Sequence, residues 1–428
     1  MTFFFEEQLS SLVFFLCIAG LTVIENRKWN NLYTPFTLTA WPFVVITLLV
    51  NFLLYQIGFS MITARANYFV LLNLVFIWIF SYLVSHFNST ERIKNNLADA
   101  FSPYIKYKYI FIILSWVIII FSFIRLLKFV GLHGGWWYIG TDEFGEKYFR
   151  GPVGHAIIYG KVCFLILYCI SLLNRRRDNF LIYFTLFFLS LTIISIQNKY
   201  HLMIIVLMIF FISNLTKTTK QQIKSIVNVT LLLFMLFIVY FIIVALGWKT
   251  ATFIQTGIWE HIFKMFLNYL VSGPIILDKW MDFADTKPEW TMFVPIINLF
   301  RYVSGNKNLI NVIPYVSKGF YQVLKGFHSN VGTGFGVYYL IGGLGFTLMM
   351  TLFTSAISYT LYIKCKNFNN PILIFFNTMF LSFGVLSFFV QYYTILSIYE
   401  YSLMFFFTIL ILRVINKLFT INTYNNDN

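Results

Sequence analysis

His328, Ser329 and Asn330 form a short polar group, followed by a run of glycines: Gly332, Gly334, Gly336, Gly342, Gly343 and Gly345. A histidine with an unperturbed pKa near neutrality can take a proton from a hydroxyl nucleophile. Ser329 and Asn330 beside it supply hydrogen-bond donors. The glycines permit sharp turns and close approach of helices or lipid headgroups. The same residues also read as a glycine-rich loop with solvated polar side chains at a close-packed helix start.

Cations are the second ingredient. Lys199, with His201 close behind, opens an apolar run, "KYHLMIIVLMIF". A cation at a helix N-terminus opposes the dipole, so an anion held jointly by the helix N–H groups and Lys199 makes its position sensible. A lysine snorkelling at an interface is the other reading. Arg301 lies between Phe300 and Tyr302, where a guanidinium can stack on rings and still fork onto a diphosphate. Its alternative is a surface arginine on an interfacial helix. Arg125, Lys128 and Lys161 sit within apolar runs, and ionisable groups in such runs are functional candidates by default, although these lie close to one edge. The segment between those runs adds His133, Asp142, Glu143 and Arg150. Asp278, Asp282, Asp285 and Glu289 recur at helical spacing, but Lys279 and Lys287 alternate with them and Pro288 interrupts, so a solvated face is expected. No Asp-x-Asp or His-rich pattern appears, so neither a metal nor a cofactor is expected.

The elements that must hold these groups are membrane helices. Of 428 residues, 59% are hydrophobic and 11% charged, and mean hydropathy is +0.76. A soluble domain cannot hide that much apolar surface. The expected fold is an all-α polytopic membrane protein, because the short alternating strands of a barrel are absent. Eleven spans are expected, at 9–24, 38–58, 67–87, 109–130, 154–173, 179–196, 199–213, 226–247, 333–363, 371–391 and 398–413. They divide the chain into eight helices over 1–247, a large loop over 248–332, and three helices with a tail over 333–428. The start, with Glu6 and Glu7, does not read as a cleavable signal. Cys17, Cys163, Cys169 and Cys365 lack metal-site spacing and read as packing residues.

The net charge of +15 does not point to nucleic acid. Arg27/Lys28, Arg92/Lys94/Lys106/Lys108, Arg175–Arg177, Lys217/Lys220/Lys224, Lys364/Lys366 and Lys417 all fall on one side of the alternation. That side is expected to be the cytoplasm, with anionic lipid nearby and the C-terminus inside. The long loop is then outside, and its aromatic content suits interfacial helices.

Within it, "LGWKTATFIQTG", "FLNYLVSGPIILDKW", "MFVPIINLFRYVSGNKNL" and "KGFHSNVGTGFGVYYLIGGLGF" follow in order. This order resembles the oligosaccharide repeat unit polymerases, the Wzy-class O-antigen polymerases. Tyr269–Pro274 matches that family's Tyr-x-x-x-Gly-Pro patch. Ser329–Thr333 matches its Ser-Asn-Val-Tyr-Thr patch with Gly332 in place of tyrosine, and Gly342–Gly345 supplies a Gly-x-x-Gly. Lys199 stands where the family usually has arginine.

The resemblance implies a GT-C-like membrane glycosyltransferase of the bacterial inner membrane, with its active site facing the periplasm. It implies undecaprenyl-diphosphate-linked oligosaccharides as substrates, and membrane lipids and a chain-length regulator as partners. The reaction would be a metal-independent, inverting glycosyl transfer. His328 and Asn330 would be catalytic, Lys199, Arg301, Arg125 and Lys161 would bind diphosphate, and Tyr269, Ser329, His133 and Arg150 would line the substrate. Three other classes remain open. An O-antigen ligase usually has His-x-His-Asn, and here only one histidine is present. A flippase or other transporter would show repeats and deep charges. A scaffold would not need the polar–glycine patch.

Overall fold

The computed structural model describes residues 2–88, 91–133, 135, 142–148, 151–174, 179–195, 199–247, 258–282, 289–306, 308, 310, 320–389, 392 and 395–426. Arg150, Arg175–Arg177, Asp285 and Lys287 lie outside them.

The long helices are α1 (Thr2–Trp29), α2 (Pro35–Phe52), α3 (Ala64–Phe87), α5 (Lys108–Leu132), α7 (Pro152–Leu173), α8 (Phe180–Ile194), α9 (Lys199–Asn214), α10 (Thr219–Gly247), α11 (Ile258–Met281), α13 (Gly334–Lys364), α14 (Pro371–Leu386) and α15 (Leu396–Asn426). Short helices α4 (Leu97–Phe101), α6 (Asp142–Tyr148) and α12 (Val294–Val303) join them. Proline opens α2, α7 and α14, where its missing N–H costs nothing and its fixed φ suits the first turn. Thr34 and Asn370 cap α2 and α14 with side-chain acceptors.

A helix stands at each of the eleven stretches expected to be apolar spans. Among the described residues, seven helices are long and apolar enough to cross a membrane, and three shorter apolar helices lie at Phe180–Ile194, Leu202–Asn214 and Pro371–Leu386. The chain is therefore a multi-pass, all-α membrane protein with one small β ribbon. Side chains such as Leu16, Ile113, Phe121 and Phe187 face outward, as they do where hydrocarbon is the solvent. Two helices end earlier than their apolar runs. α2 stops at Phe52, and a tight 3-10 turn then ends on left-handed Gly58. α14 stops at Leu386, and the Ser387 N–H bonds back to the Gly384 carbonyl.

The two ends of the bundle differ in charge. At one end, the Lys94 N–H bonds the Lys366 carbonyl at 2.8 Å, and Arg92 bonds the Thr216 carbonyl at 3.1 Å. Gln222 there bonds Asn31 at 2.9 Å. These loops carry the basic residues, so the alternation read from the sequence corresponds to a real sorting of loops. At the other end, the Ser60 N–H bonds the Val323 carbonyl at 2.9 Å, and the Gly334 N–H bonds the Ser387 carbonyl at 2.7 Å.

The longest described element of the segment before α13 is α11, of 24 residues. It packs on α2, α3, α10 and α13. A hairpin follows, β1 (Tyr321–Leu324) and β2 (Phe327–Ser329), antiparallel and turned at Lys325–Gly326. Gly326 has φ 80°, which glycine adopts without strain. Phe59 bridges to Leu324 on the open edge of β1.

Candidate functional site at the end opposite the basic loops

The polar–glycine patch runs along β2 into α13. Thr333, fully buried, caps α13 by accepting the Gly336 N–H at 2.9 Å. Ser329 is buried, and its Oγ accepts the Val331 N–H at 3.2 Å. The Ser-Asn-Val-Gly-Thr patch lies directly on α11. A Cβ on Gly332 would fall inside the Trp280 ring, and one on Gly336 would reach Leu277 at 3.0 Å. The Tyr269–Pro274 patch meets the same seam: a Cβ on Gly273 would overlap the Phe388 carbonyl oxygen and lie 3.6 Å from Thr333. Asn268 donates to the His328 carbonyl at 3.5 Å, and the Tyr269 ring lies 6.1 Å from that of Phe389. Gly273, Gly332 and Gly336 are therefore contact surfaces. Gly342 and Gly343 instead break α13, with Gly343 at φ 72°. His328 is exposed and stands opposite Gln322 in the ribbon, so the two side chains share a face. Asn330 is half-buried.

Beside the hairpin lies a cavity of about 460 Å³, within the range of small-molecule sites. Glu7 of α1, Tyr55, Ser60 and Thr63 of the α2–α3 connection, Asp278 and Lys279 of α11, and Tyr321 and Gln322 of β1 line it. Burial pushes the Tyr321 phenol up from its usual range. A polar network holds this corner. The Glu7 carbonyl accepts Ser10 and Ser11 hydroxyls at 2.8 and 2.7 Å. Asn51 donates to Ser11 at 2.9 Å and to the Ile62 carbonyl at 2.8 Å, and accepts the Ile62 N–H at 2.8 Å. The Glu7 side chain is 3% exposed, and the Ala64 backbone N–H bonds its carboxylate. Oε2 of Glu7 and Oδ1 of Asp278 are buried without a hydrogen-bond partner. Asp278 is thus half-buried with one oxygen turned inward, unlike the expected solvated face, whereas Asp282 is exposed as expected. Asp282 pairs with Arg65 at 2.5 Å, and Arg65 also donates to the Met281 carbonyl at 3.2 Å, capping the end of α11.

The cations are dispersed. Lys161 on α7 is 1% exposed, with its ammonium 5.8 Å from the Tyr401 ring centroid and Glu400 acting on it electrostatically. Glu400 also meets His155 at 2.5 Å, and the His155 ring lies 5.8 Å from that of Tyr302. Lys161 is therefore enclosed within the bundle. Arg301, on α12 beside Tyr302, donates to the Asn308 carbonyl at 2.8 Å and closes the turn after its helix. Arg125 donates to the Lys147 carbonyl at 2.8 Å and covers the Phe129 and Tyr148 rings, tying α6 to α5. Lys147 holds the Glu143 carboxyl below its ordinary range. His133 ends α5, stacked on Phe129 with centroids 6.1 Å apart. Lys199 is the first residue of α9.

The structure sets α11, which carries Tyr269, against β2 with His328 and Ser329, and places Lys161, Glu400, His155 and the residue next to Arg301 in one region. It leaves Arg125 and His133 on the α5–α6 corner. His155, Glu400 and the Glu7–Asp278 pair were not singled out as site residues from sequence. Glu400 did carry a signal, as an acid at the start of an apolar run.

No curated protein and no solved structure matches the chain. Residues 69–419 match the model of a family described as "Family of unknown function (DUF6337)". That match spans most of the chain, so the chain belongs to this family.

Proposed function

We propose that the chain polymerises undecaprenyl-diphosphate-linked oligosaccharide repeat units at the periplasmic face of the bacterial inner membrane, with its C-terminus in the cytoplasm. One observation carries the reading. The Tyr269–Pro274 and Ser329–Thr333 patches, which resemble the polymerases, are far apart in sequence and meet in one seam at the end away from the basic loops. The positive-inside bias assigns that end to the periplasm.

In this reading an acceptor hydroxyl attacks the anomeric carbon of the donor. The bond to the lipid diphosphate breaks, and the diphosphate leaves with the electron pair. His328, exposed on β2, takes the hydroxyl proton, and Asn330 orients the reacting sugar. Charge grows on the leaving group, so Lys199 and Arg301 stabilise the transition state more than the ground state. Arg301 keeps a structural tie to Asn308 while doing so.

The test is the surface-glycan gel profile of a strain lacking the chain. The polymerase reading expects loss of the ladder with a single-repeat band retained. Loss of all capped material, with lipid-linked polymer accumulating, would instead identify a ligase, and an unchanged ladder would sink both.

A further inference from the structure

α12, the helix that carries Arg301, has ten residues and is too short to cross a membrane. Its seat can be read residue by residue. Val294, Pro295 and Asn298 are buried, whereas Phe300 and Val303 are exposed. Arg301 and Tyr302 come three and four residues after Asn298, so they continue that docked face for one more turn. Two sets of contacts hold this last turn. Asn298 donates to the Ile310 carbonyl at 2.7 Å and accepts the Ile310 N–H at 2.8 Å, and Arg301 donates to the Asn308 carbonyl, so the helix is tied to its own following loop. Toward the bundle, α12 packs on α15, and the Tyr302 ring lies 5.8 Å from the His155 ring. Tyr302 is 59% exposed. Its contact with His155 is a light one, and its strength depends on how firmly His155 is held.

Glu400 holds it. The Glu400 carboxylate meets His155 Nδ1 at 2.5 Å and joins the opening turns of α7 and α15. At the start of an apolar run a carboxylate without a partner would be costly. A carboxylate accepting from Nδ1 also fixes the tautomer and the plane of an imidazole. The ring offered to Tyr302 therefore has a set orientation, at a depth given by two membrane helices. Without it, a short helix with exposed Phe300 and Val303 could rise or sink in the interface, and a misplacement of about 1 Å can cost a site a hundredfold.

We propose that His155 and Glu400 are positioning residues, which set where the last turn of α12 rests and so the depth at which Arg301 meets the lipid diphosphate; this rests on the polymerase reading above.

Two experiments together decide it. The first is a double-mutant cycle on glycan extension by the full-length protein in nanodiscs, supplied with lipid extract from a strain lacking the chain. His155→Ala should lower kcat/KM about tenfold or more. Arg301→Ala should lower it at least as much, and the double variant no further than Arg301→Ala alone, because the pair acts through that guanidinium. Glu400→Gln keeps an acceptor for Nδ1 and should retain more activity than Glu400→Leu. Losses that multiply in the double variant, or an Arg301→Ala protein as active as wild type, would overturn the proposal while leaving the polymerase reading intact. Wild-type protein that extends nothing would remove the reading and the proposal with it.

The second needs no activity and keeps the His155–Glu400 pair in place, so it decides even if those variants are inactive or fail to accumulate. Val303→Cys carries a spin label on the exposed face of α12, in a Cys17→Ser background that removes the exposed native cysteine. Tyr302→Ala should loosen the label and shift its depth in the bilayer, read from its accessibility to oxygen and to a soluble nickel complex. Tyr302→Phe keeps the ring and should leave the label as it is beside Tyr302. A label equally immobile and equally deep in Tyr302→Ala would show that the ring contact does not seat α12, and would overturn the proposal.

Discussion

Replacing Gly332 with alanine is expected to destabilise the protein by about 1–3 kcal/mol or more and to part the hairpin from α11. The added Cβ would occupy the space of the Trp280 ring. Trp280 is 2% exposed, and a packed indole has nowhere to swing. Trp280→Leu should therefore partly rescue Gly332→Ala, which a double-mutant cycle on the thermal stability of the purified protein would read as a favourable coupling. Gly273→Ala should be at least as damaging, but beyond rescue by any side-chain truncation, because its Cβ meets the backbone oxygen of Phe388. A Gly332→Ala protein as stable as wild type, or one that Trp280→Leu leaves unimproved, would refute this packing of the patch.

Lys199→Met is expected to abolish polymer and accumulate single repeats on the lipid carrier, at wild-type membrane abundance. The motivating observation is that α9 starts at Lys199, a position where a cation works against the dipole unless an anion joins it. The lipid diphosphate is the anion that would reverse that balance. A cation acting on the leaving diphosphate in a water-excluded site contributes on the order of 2–4 kcal/mol to the barrier, roughly a hundredfold or more in rate. A snorkelling interfacial lysine would instead cost under about 1 kcal/mol. Lys199→Arg should keep activity or raise it, because a fork replaces a point charge. A full-length ladder from Lys199→Met would end the anion-pocket reading of α9.

Much of the architecture was legible because lipid imposes simple rules. Apolar runs of sufficient length, prolines at helix starts and basic loops on alternate sides each follow from one physical constraint. The hairpin at Tyr321–Ser329 carried a weaker signal, a Lys-Gly pair between two short β-prone runs, which a membrane-length periodicity search passes over. The glycine patch could be read as a place of close approach, but its partner could not, since Trp280 lies far upstream. The acids show the sharper limit. Asp278 belongs to a mixed-charge run and Glu7 to an acidic N-terminus, and each alone reads as solvated. Only the fold brings both into the wall of one cavity. The same holds for Lys161, which reads as an available cation until the fold shows it 1% exposed.

The central claim is that this chain alone joins lipid-linked repeat units. The direct measurement is reconstitution of the purified full-length protein in lipid nanodiscs, supplied only with lipid extract from the deletion strain. The account predicts a ladder of lengthening lipid-linked glycan that appears with time, without sugar nucleotides or added metal, and with release of undecaprenyl diphosphate. Single repeats that remain unextended beside well-folded protein would contradict it.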